Sequence, residues 1–324
     1  MRGSFLYAVI TGLVFLGMTG PASARDGQSD YYGALGAKSE GRGQDAFGLY
    51  DRACSGGYLA GCMGAAGMLA DGDGIAKDQA RARQYFQTAC NGQHKVACNW
   101  LGDMLLAGEG GAVDEAGARD LYARGCSLGH AASCVEGGEL IEFGKGGPKS
   151  VPDALNAYRK GCESGDPRGC NLAGVVLESH AGGADMAAAR GYFEQACQGA
   201  YYNGCANFGK YLQNGTGGPK DAVRAREVYR MGCGRIITNL SSCYRLGAIL
   251  LTEEGGPREL FKGADALEKV CTSQQPGHRT FKANACYTLG AMFENEFSDA
   301  DPALAVDFYA MACAYGHTGE RCGG

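Results

Sequence analysis

Residues 90–134 read CNGQHKVACNWLGDMLLAGEGGAVDEAGARDLYARGCSLGHAASC, and this one stretch contains the plan of the whole chain. Cys90 and Cys98 stand eight apart. An apolar run from Leu101 then ends in the turn Gly108-Glu109-Gly110-Gly111. A second helical run through Asp114, Ala118 and Tyr122 leads to Cys126, which is again followed eight residues later by a cysteine, Cys134.

Outward from this stretch, the sixteen cysteines fall into eight pairs: Cys54/Cys62, Cys90/Cys98, Cys126/Cys134, Cys162/Cys170, Cys197/Cys205, Cys233/Cys243, Cys271/Cys286 and Cys313/Cys322. Their first members recur every 36, 36, 36, 35, 36, 38 and 42 residues. A period of this size marks a solenoid, because a short unit buries its apolar face only against its neighbours. The chain therefore reads as an all-α, α/α superhelical solenoid of seven to eight helix-turn-helix units, one continuous array rather than two domains.

Each unit shares a register. Eight residues before the first cysteine stand Ala46, Ala82, Ala118, Ala154, Ala189, Ala225, Gly263 and Ala305. Four before it stand Tyr50, Phe86, Tyr122, Tyr158, Phe193, Tyr229, Leu267 and Tyr309. These positions lie near one helical stripe, a small residue where helices approach and an aromatic filling the gap. This is helix B of the unit. After the second cysteine comes helix A, with Phe208, Tyr211 and Leu212, or Leu246, Ile249 and Leu250, at i, i+3, i+4 spacing. Glycine recurs at its fourth position (Gly102, Gly138, Gly174, Gly209, Gly247, Gly290), where each costs an isolated helix roughly 1 kcal/mol relative to alanine, so close helix contact is expected. Glycine-rich turns such as Gly215-Thr216-Gly217-Gly218-Pro219 end helix A.

Geometry sets the cysteine pairing. Two cysteines eight apart on one helix would lie about 12 Å apart, beyond the roughly 7 Å a bridge allows, so a turn must fold between them. Gly57, Gly92, Gly129, Gly165 and Gly199 are the residues expected to make it. Equivalent cysteines of successive units are held about 8–10 Å apart by helix packing, again too far. Each pair should close locally and tie the end of helix B to the start of the next helix A. Closing a loop of about nine residues contributes roughly 2.5 kcal/mol on the chain-entropy estimate.

Sixteen cysteines, an even number, fit an oxidising compartment when joined to an export signal. Residues 1–24 have that form: Arg2, an apolar run from Phe5 to Met18, and the small residues Ala22-Ser23-Ala24. The run is too short and too interrupted for a membrane span of roughly 20 residues, so no transmembrane anchor is expected after cleavage. Residues 25–43 are read as an N-terminal polar segment and residues 44–324 as the solenoid. Periplasmic or secreted location follows. A net charge of -5 argues against nucleic acid or an anionic membrane as partner.

The pattern Leu101-Gly102, Gly108-x-Gly110, Asp114, Ala118, Tyr122, Gly125-Cys126 and Cys134 resembles the Sel-one-like repeat, a relative of the tetratricopeptide repeat. The added cysteine pair is similar to the cysteine-rich branch typified by the secreted Helicobacter cysteine-rich proteins. The likeness runs from about Gln44 to Cys322. It implies right-handed α/α superhelices acting mainly as protein-interaction scaffolds, with some cysteine-rich members named as slow β-lactamases that bind penicillins.

The residues offer that enzyme reading no support. No serine has a lysine three residues on, and Lys-Thr-Gly and Ser-Asp-Asn are both missing from the sequence. His94, His130, His180, His278 and His317 form no H-x-H or H-E-x-x-H, so neither a metal nor a cofactor is expected, and catalytic residues are left unassigned. His94 and His130, inside inter-cysteine turns, are read as solvated turn residues. Two residues past the second cysteine the register varies freely: Gly64, Trp100, Glu136, Leu172, Asn207, Arg245, Thr288. Three further on lie Asp103, Glu139, Lys210 and Ala248.

Variation beside an unvarying core implies an exposed face, and in stacked hairpins the A helices line the concave side. Trp100, Asp103, Glu136, Glu139, Asn207, Lys210 and Arg245 are therefore candidate contacts for an unknown protein or peptide partner, with packing in a unit interface the other reading of Trp100. A penicillin- or peptidoglycan-fragment-binding hydrolase and a structural cell-envelope component are the alternatives.

Three departures carry expectations of their own. The inter-cysteine segments 234–242, 272–285 and 314–321 hold two, seven and one extra residues, and should project from one rim as binding loops. Residues 29–43 are too short and glycine-rich for a full helix A. No capping helix follows Ala303 to Ala312, which leaves apolar surface on the last unit.

Overall fold

A computed structural model describes residues 22–180, 185–234, 239–297 and 302–322. Among these residues the fold is an all-α repeat solenoid of sixteen α-helices: α1 (Ala22–Ser39), α2 (Gly43–Ser55), α3 (Leu59–Asp71), α4 (Gln79–Asn91), α5 (Lys95–Ala107), α6 (Glu115–Ser127), α7 (Ala131–Phe143), α8 (Val151–Glu163), α9 (Pro167–His180), α10 (Met186–Gln198), α11 (Tyr202–Asn214), α12 (Ala222–Gly232), α13 (Leu240–Leu250), α14 (Leu260–Cys271), α15 (Arg279–Asn295) and α16 (Pro302–Ala314). Odd-numbered helices are A and even-numbered helices are B. Of the expected export signal, residues 1–21 lie outside the described residues.

The chain divides into two compact units, residues up to 97 with 109–111, and residues 98–108 with 112–322. The first is built on α1 to α4 around Ala34, Ala37, Ala46, Tyr50, Ala65 and Met68. Here the expectation for residues 29–43 is corrected. They belong largely to α1, a full 18-residue helix A. Ala34 and Ala37 are almost wholly buried in that core, and this packing outweighs the local cost of Gly33 and Gly36, since helix stability in proteins comes mostly from tertiary burial. A side chain at Gly27 would meet Tyr58 Cβ at 2.9 Å, so a glycine there permits the close approach.

The second unit holds the larger core, including Phe193, Phe208, Tyr211, Leu212, Tyr229, Ile249, Leu250 and Leu267. Successive helices pack on one another, and alternate A helices touch, α7 with α9, α9 with α11, α11 with α13. The recurrent glycine of helix A sits under the aromatic of the following helix B. A Cβ on Gly102, Gly138, Gly174, Gly209 or Gly290 would fall 2.3–2.9 Å from a ring carbon of Tyr122, Tyr158, Phe193, Tyr229 or Tyr309. At Gly247 the group met is the Leu267 side chain, at 2.5 Å.

Disulfides join Cys54–Cys62, Cys126–Cys134, Cys162–Cys170, Cys197–Cys205, Cys233–Cys243, Cys271–Cys286 and Cys313–Cys322, with Cα atoms 4.4–5.3 Å apart. Cys90 and Cys98 are also disulfide-bonded. The turn between paired cysteines contains the expected glycine in all five regular units but takes two forms. The left-handed residue is Gly57, Gly129 and Gly165 in three units, but Gln93 (φ 70°) and Ala200 (φ 61°) in two others. Gly92 and Gly199 sit one residue earlier at φ -76°. They are small for another reason: a Cβ would strike the Leu59 side chain at 2.5 Å or Pro167 Cβ at 2.6 Å.

The glycine-rich A-to-B loops are pinned to the preceding helix B. Gly146, Gly217 and Gly255, all at positive φ, lie so close to the backbone at Glu115, Met186 and Ala222 that no side chain fits. Beside them an arginine seven residues before the first cysteine reaches loop carbonyls. Arg119 donates to Pro148 O (3.1 Å) and Arg190 to Pro219 O (3.0 Å). Arg226, 3% exposed, donates to the carbonyls of Ile249, Thr252, Glu254, Gly256 and Pro257 at 2.7–3.2 Å.

The long 272–285 segment does not project as a loop along its length. From Arg279 it is helical, an N-terminal extension of α15. Phe281 packs against Tyr244, with ring centroids 5.1 Å apart, and Lys282 is buried with Nζ on Gln275 O (2.5 Å). Of the 234–242 segment, residues 235–238 lie outside the described residues. At the last unit Leu304 and Val306 are exposed, at 41% and 66%.

Candidate functional site

The variable positions of helix A fall in the second unit on α5, α7, α11 and α13. Because they share one register on successive A helices, the stacking places them in a row. Trp100 is 45% exposed and Asp103 is exposed; Glu136, Glu139, Asn207, Lys210 and Arg245 are half-buried. The expectation of a uniformly exposed face is thus corrected for five of the seven. They are drawn down by bonds that cross from one repeat to the next.

On α5, Asp103 takes a hydrogen bond from Tyr122 OH (2.5 Å) and another from Asn99 Nδ2 (3.1 Å). Asn99 Oδ1 accepts from Ser133 Oγ (2.7 Å) at the head of α7. Glu139 on α7 pairs with Arg168 on α9 (2.8 Å). Asn207 Nδ2 donates to Asn171 Oδ1 (3.0 Å), and Lys210 Nζ pairs with Glu178 (2.7 Å), both joining α11 to α9. Asn239 Nδ2, before α13, donates to Asn203 Oδ1 (2.6 Å). The result is a rail of amides and charges along the A helices.

Glu136 is the electrostatic outlier. One carboxylate oxygen is buried with no hydrogen-bond partner. Burial, with Asp103 close by, pushes its pKa up to about 7, while Arg168 and a hydrogen bond from Asn99 oppose the rise. Arg245 lies beside Tyr229, whose hydroxyl burial pushes up to about 12 against the lowering effect of that guanidinium. The Tyr122 and Tyr158 hydroxyls, on buried side chains, are also raised, by burial and by their carboxylate partners Asp103 and Glu142.

Tyrosine hydroxyls of helix B meet an acceptor on the preceding helix A: Tyr158 to Glu142 (2.6 Å), Tyr229 to Gln213 (3.1 Å), Tyr309 to Glu294 (2.8 Å). These acceptors stand eight residues past the second cysteine. The same position in the α9 unit is Glu178, opposite Phe193, which has no hydroxyl; Glu178 instead binds Lys210. Sequence reasoning missed this acceptor register, and its regular spacing was the signal that would have exposed it. It also missed Asn99 and Asn171, which recur at one past the second cysteine in only two units and so left little pattern to find.

The two turn histidines are caps rather than solvated turn residues. His130 Nδ1 accepts from Ser133 N (3.3 Å) at the start of α7, and Ser133 Oγ lies 2.9 Å from the same nitrogen. His94 Nδ1 accepts from Ala97 N (3.3 Å), and burial lowers its pKa. Both occupy the N-cap position four before the second cysteine, where a side-chain acceptor satisfies an orphan helix donor. No group of three or more potential metal ligands is present among the described residues. No described helix is long and apolar enough to cross a membrane.

Comparison with known proteins agrees with this architecture. The model of the family described as Sel1 repeat matches residues 60–94, 95–130, 170–201, 203–233 and 283–317. Human cytochrome c oxidase assembly factor 7 is 30% identical over 120 residues, which are 36% of this chain and 49% of that protein. The chain thus spans about half the length of this curated relative.

Among solved structures, c5321, described as a protective antigen of uropathogenic Escherichia coli with an SLR fold, superposes with TM-score 0.79 at 18% identity, covering 90% of this chain and 62% of that one. A Sel1 repeat protein from Oxalobacter formigenes gives TM-score 0.69 at 17% identity over 90% of this chain and 84% of its own. At these identities the superpositions speak for the fold alone. With its own repeats matched by the family over more than half its length, the chain belongs to the Sel1 repeat family.

Proposed function

We propose that this protein is a binding scaffold outside the cytoplasm that holds an extended polypeptide along its A-helix face. The observation that carries the reading is the cross-repeat rail from Asn99 to Asn239, beside an exposed Trp100. Side-chain amides fixed by their neighbours are oriented before a partner arrives, which lowers the entropy cost of binding. An indole at the edge of such a rail is the residue type most often dominant in interfaces. Location outside the cytoplasm is supported by the absence of any free cysteine among the described residues. It also rests on residues 1–24 acting as a cleaved export signal ahead of a single array over residues 44–324. A β-lactam hydrolase finds less support: Ser133, the serine that lies beside His130, is fully buried.

The test is site-specific photocrosslinking in the native host. A photoreactive residue at Ala248 on the A face should capture partner polypeptide, whereas one at the exposed Val223 on α12 should not. Trp100→Ala should abolish capture and leave thermal unfolding unchanged. Equal capture from both positions, or capture indifferent to Trp100, would overturn the assignment.

A further inference from the structure

A groove on the B-helix side of the second unit shares only Ser133 with the rail. It lies between α6 and α8 over α7 and encloses about 280 Å³. Its floor is the Cys126–Cys134 bridge with Ala123, Gly137, Ala157 and Ile141. Each small residue there stands where most other units carry a larger one at the same register. Gly137 stands where four other units bury Leu101, Phe208, Leu246 and Leu289 and two have Ala65 and Ala173; Ala157 stands where six others have Leu49, Tyr85, Leu121, Tyr192, Val228 and Phe308 and one has Ala266. Ala123 stands where six others have Asp51, Gln87, Arg159, Glu194, Arg230 and Glu268 and one has Ala310. Three truncations converge on one groove. Hydrophobic cavities of about 150 Å³ already admit benzene, so this space holds a phenylalanine or leucine side chain.

The rim is polarised along its α8 edge. Asp153 stands at one end of that edge and Lys160 at the other, while Asp120 on α6 is level in register with Asn156, between them. Arg119 is turned onto the Pro148 carbonyl. Seven residues of helix separate Asp153 from Lys160 by about 10 Å along the axis. An extended chain covers that distance in three to four residues at about 3.3 Å each, with alternate side chains on one face.

We propose that this groove binds an extended segment of a partner polypeptide, seating one large apolar side chain over the bridge, a cationic residue toward Asp153, and an acidic residue toward Lys160. The apolar contact supplies the affinity, and the charges set register, as rim charges generally do.

The probe is the synthetic peptide acetyl-Lys-Ser-Phe-Ser-Glu-amide, titrated into the full oxidised protein labelled with nitrogen-15. Amide shifts should move at Ala123, Gly137 and Ala157. Replacing the peptide's Phe by Gly should weaken binding at least roughly tenfold, and replacing its Glu by Lys should weaken it less. Gly137→Leu and Ala157→Leu fill the groove and should abolish the shifts. The second uses a residue already at that register in two other units, so it keeps the fold if the first does not. Trp100→Ala should leave the titration unchanged, which separates this site from the A-helix face. No movement at the groove, equal binding of the Gly peptide, or shifts surviving in the filled variants would overturn the proposal.

Discussion

Gly209 lies against the ring of Tyr229 so closely that a methyl group on the glycine would stand 2.3 Å from Tyr229 Cε1. The same ring, through its hydroxyl, is hydrogen-bonded to Gln213 one turn along α11 (3.1 Å). The glycine therefore sets how near helix B comes to helix A, and the tyrosine holds the pair in register.

Gly209→Ala should destabilise the protein by about 2–3 kcal/mol, because the buried Tyr229 ring has no room to retreat. Gly191→Ala, in α10 with open space around it, should do the reverse and stabilise by up to about 1 kcal/mol. Denaturant unfolding of the oxidised variants measures both. A loss no larger at Gly209 than at Gly191 would contradict the packing argument.

Ala200→Gly and Gln93→Gly should each raise stability, by about 0.5–1 kcal/mol, since both residues hold a left-handed backbone that glycine adopts without strain. Thermal melts compare each with the parent. Gly129→Ala, at the equivalent turn residue of another unit, should lower the melting temperature.

Arg226→Met should cost about 3 kcal/mol or more, because it removes one charge but leaves several loop carbonyls without their donor. Arg226→Lys should rescue little: a single ammonium cannot reproduce the planar fork. Hydrogen exchange should show the faster opening at residues 251–257 before it appears elsewhere.

Glu136 keeps its proton to about pH 7 in the folded protein, against an ordinary value of 4.5. Between these values the folded chain binds more protons than the unfolded one, so stability falls as pH rises through that window. Glu136→Gln should remove this slope and be more stable than the parent at pH 8 by about 1–3 kcal/mol. Carbon-13 titration of the carboxyl should give a midpoint near 7; a midpoint near 4.5 would refute the burial argument.

Much of this fold was legible before any coordinates. The 36-residue cysteine spacing, the alanine at minus eight and the aromatic at minus four are local patterns, and each marks a helix and its buried stripe. The glycines at 102, 138, 174, 209, 247 and 290 pointed to close contact, and only the structure named the ring each one touches. Gly92 and Gly199 stand in the turn as the sequence suggested, but for a cause the sequence does not separate from backbone conformation: crowding from Leu59 or Pro167, with the left-handed residue one position later. The helix at residues 22–39 was missed because glycine content argued against it locally while burial of Ala34 and Ala37 decided it.

The candidate face was found as a row of variable positions, since register alone fixes which residues share a helix stripe. Its chemistry was not legible. Asn99 meets Ser133 across 34 residues and Asn207 meets Asn171 across 36, and such pairs depend on side-chain reach between stacked helices.

The sequence by itself determined the repeat period, the local closure of the cysteine pairs and the division of each unit into two helices, because these follow from spacing and periodicity along the chain. Only the tertiary structure decided which polar residues bind one another, where Glu136 loses its solvent, and where Ala123, Gly137 and Ala157 open a single groove. Those properties arise when residues a full repeat apart are packed together, and burial and contact at that distance leave no mark on local sequence.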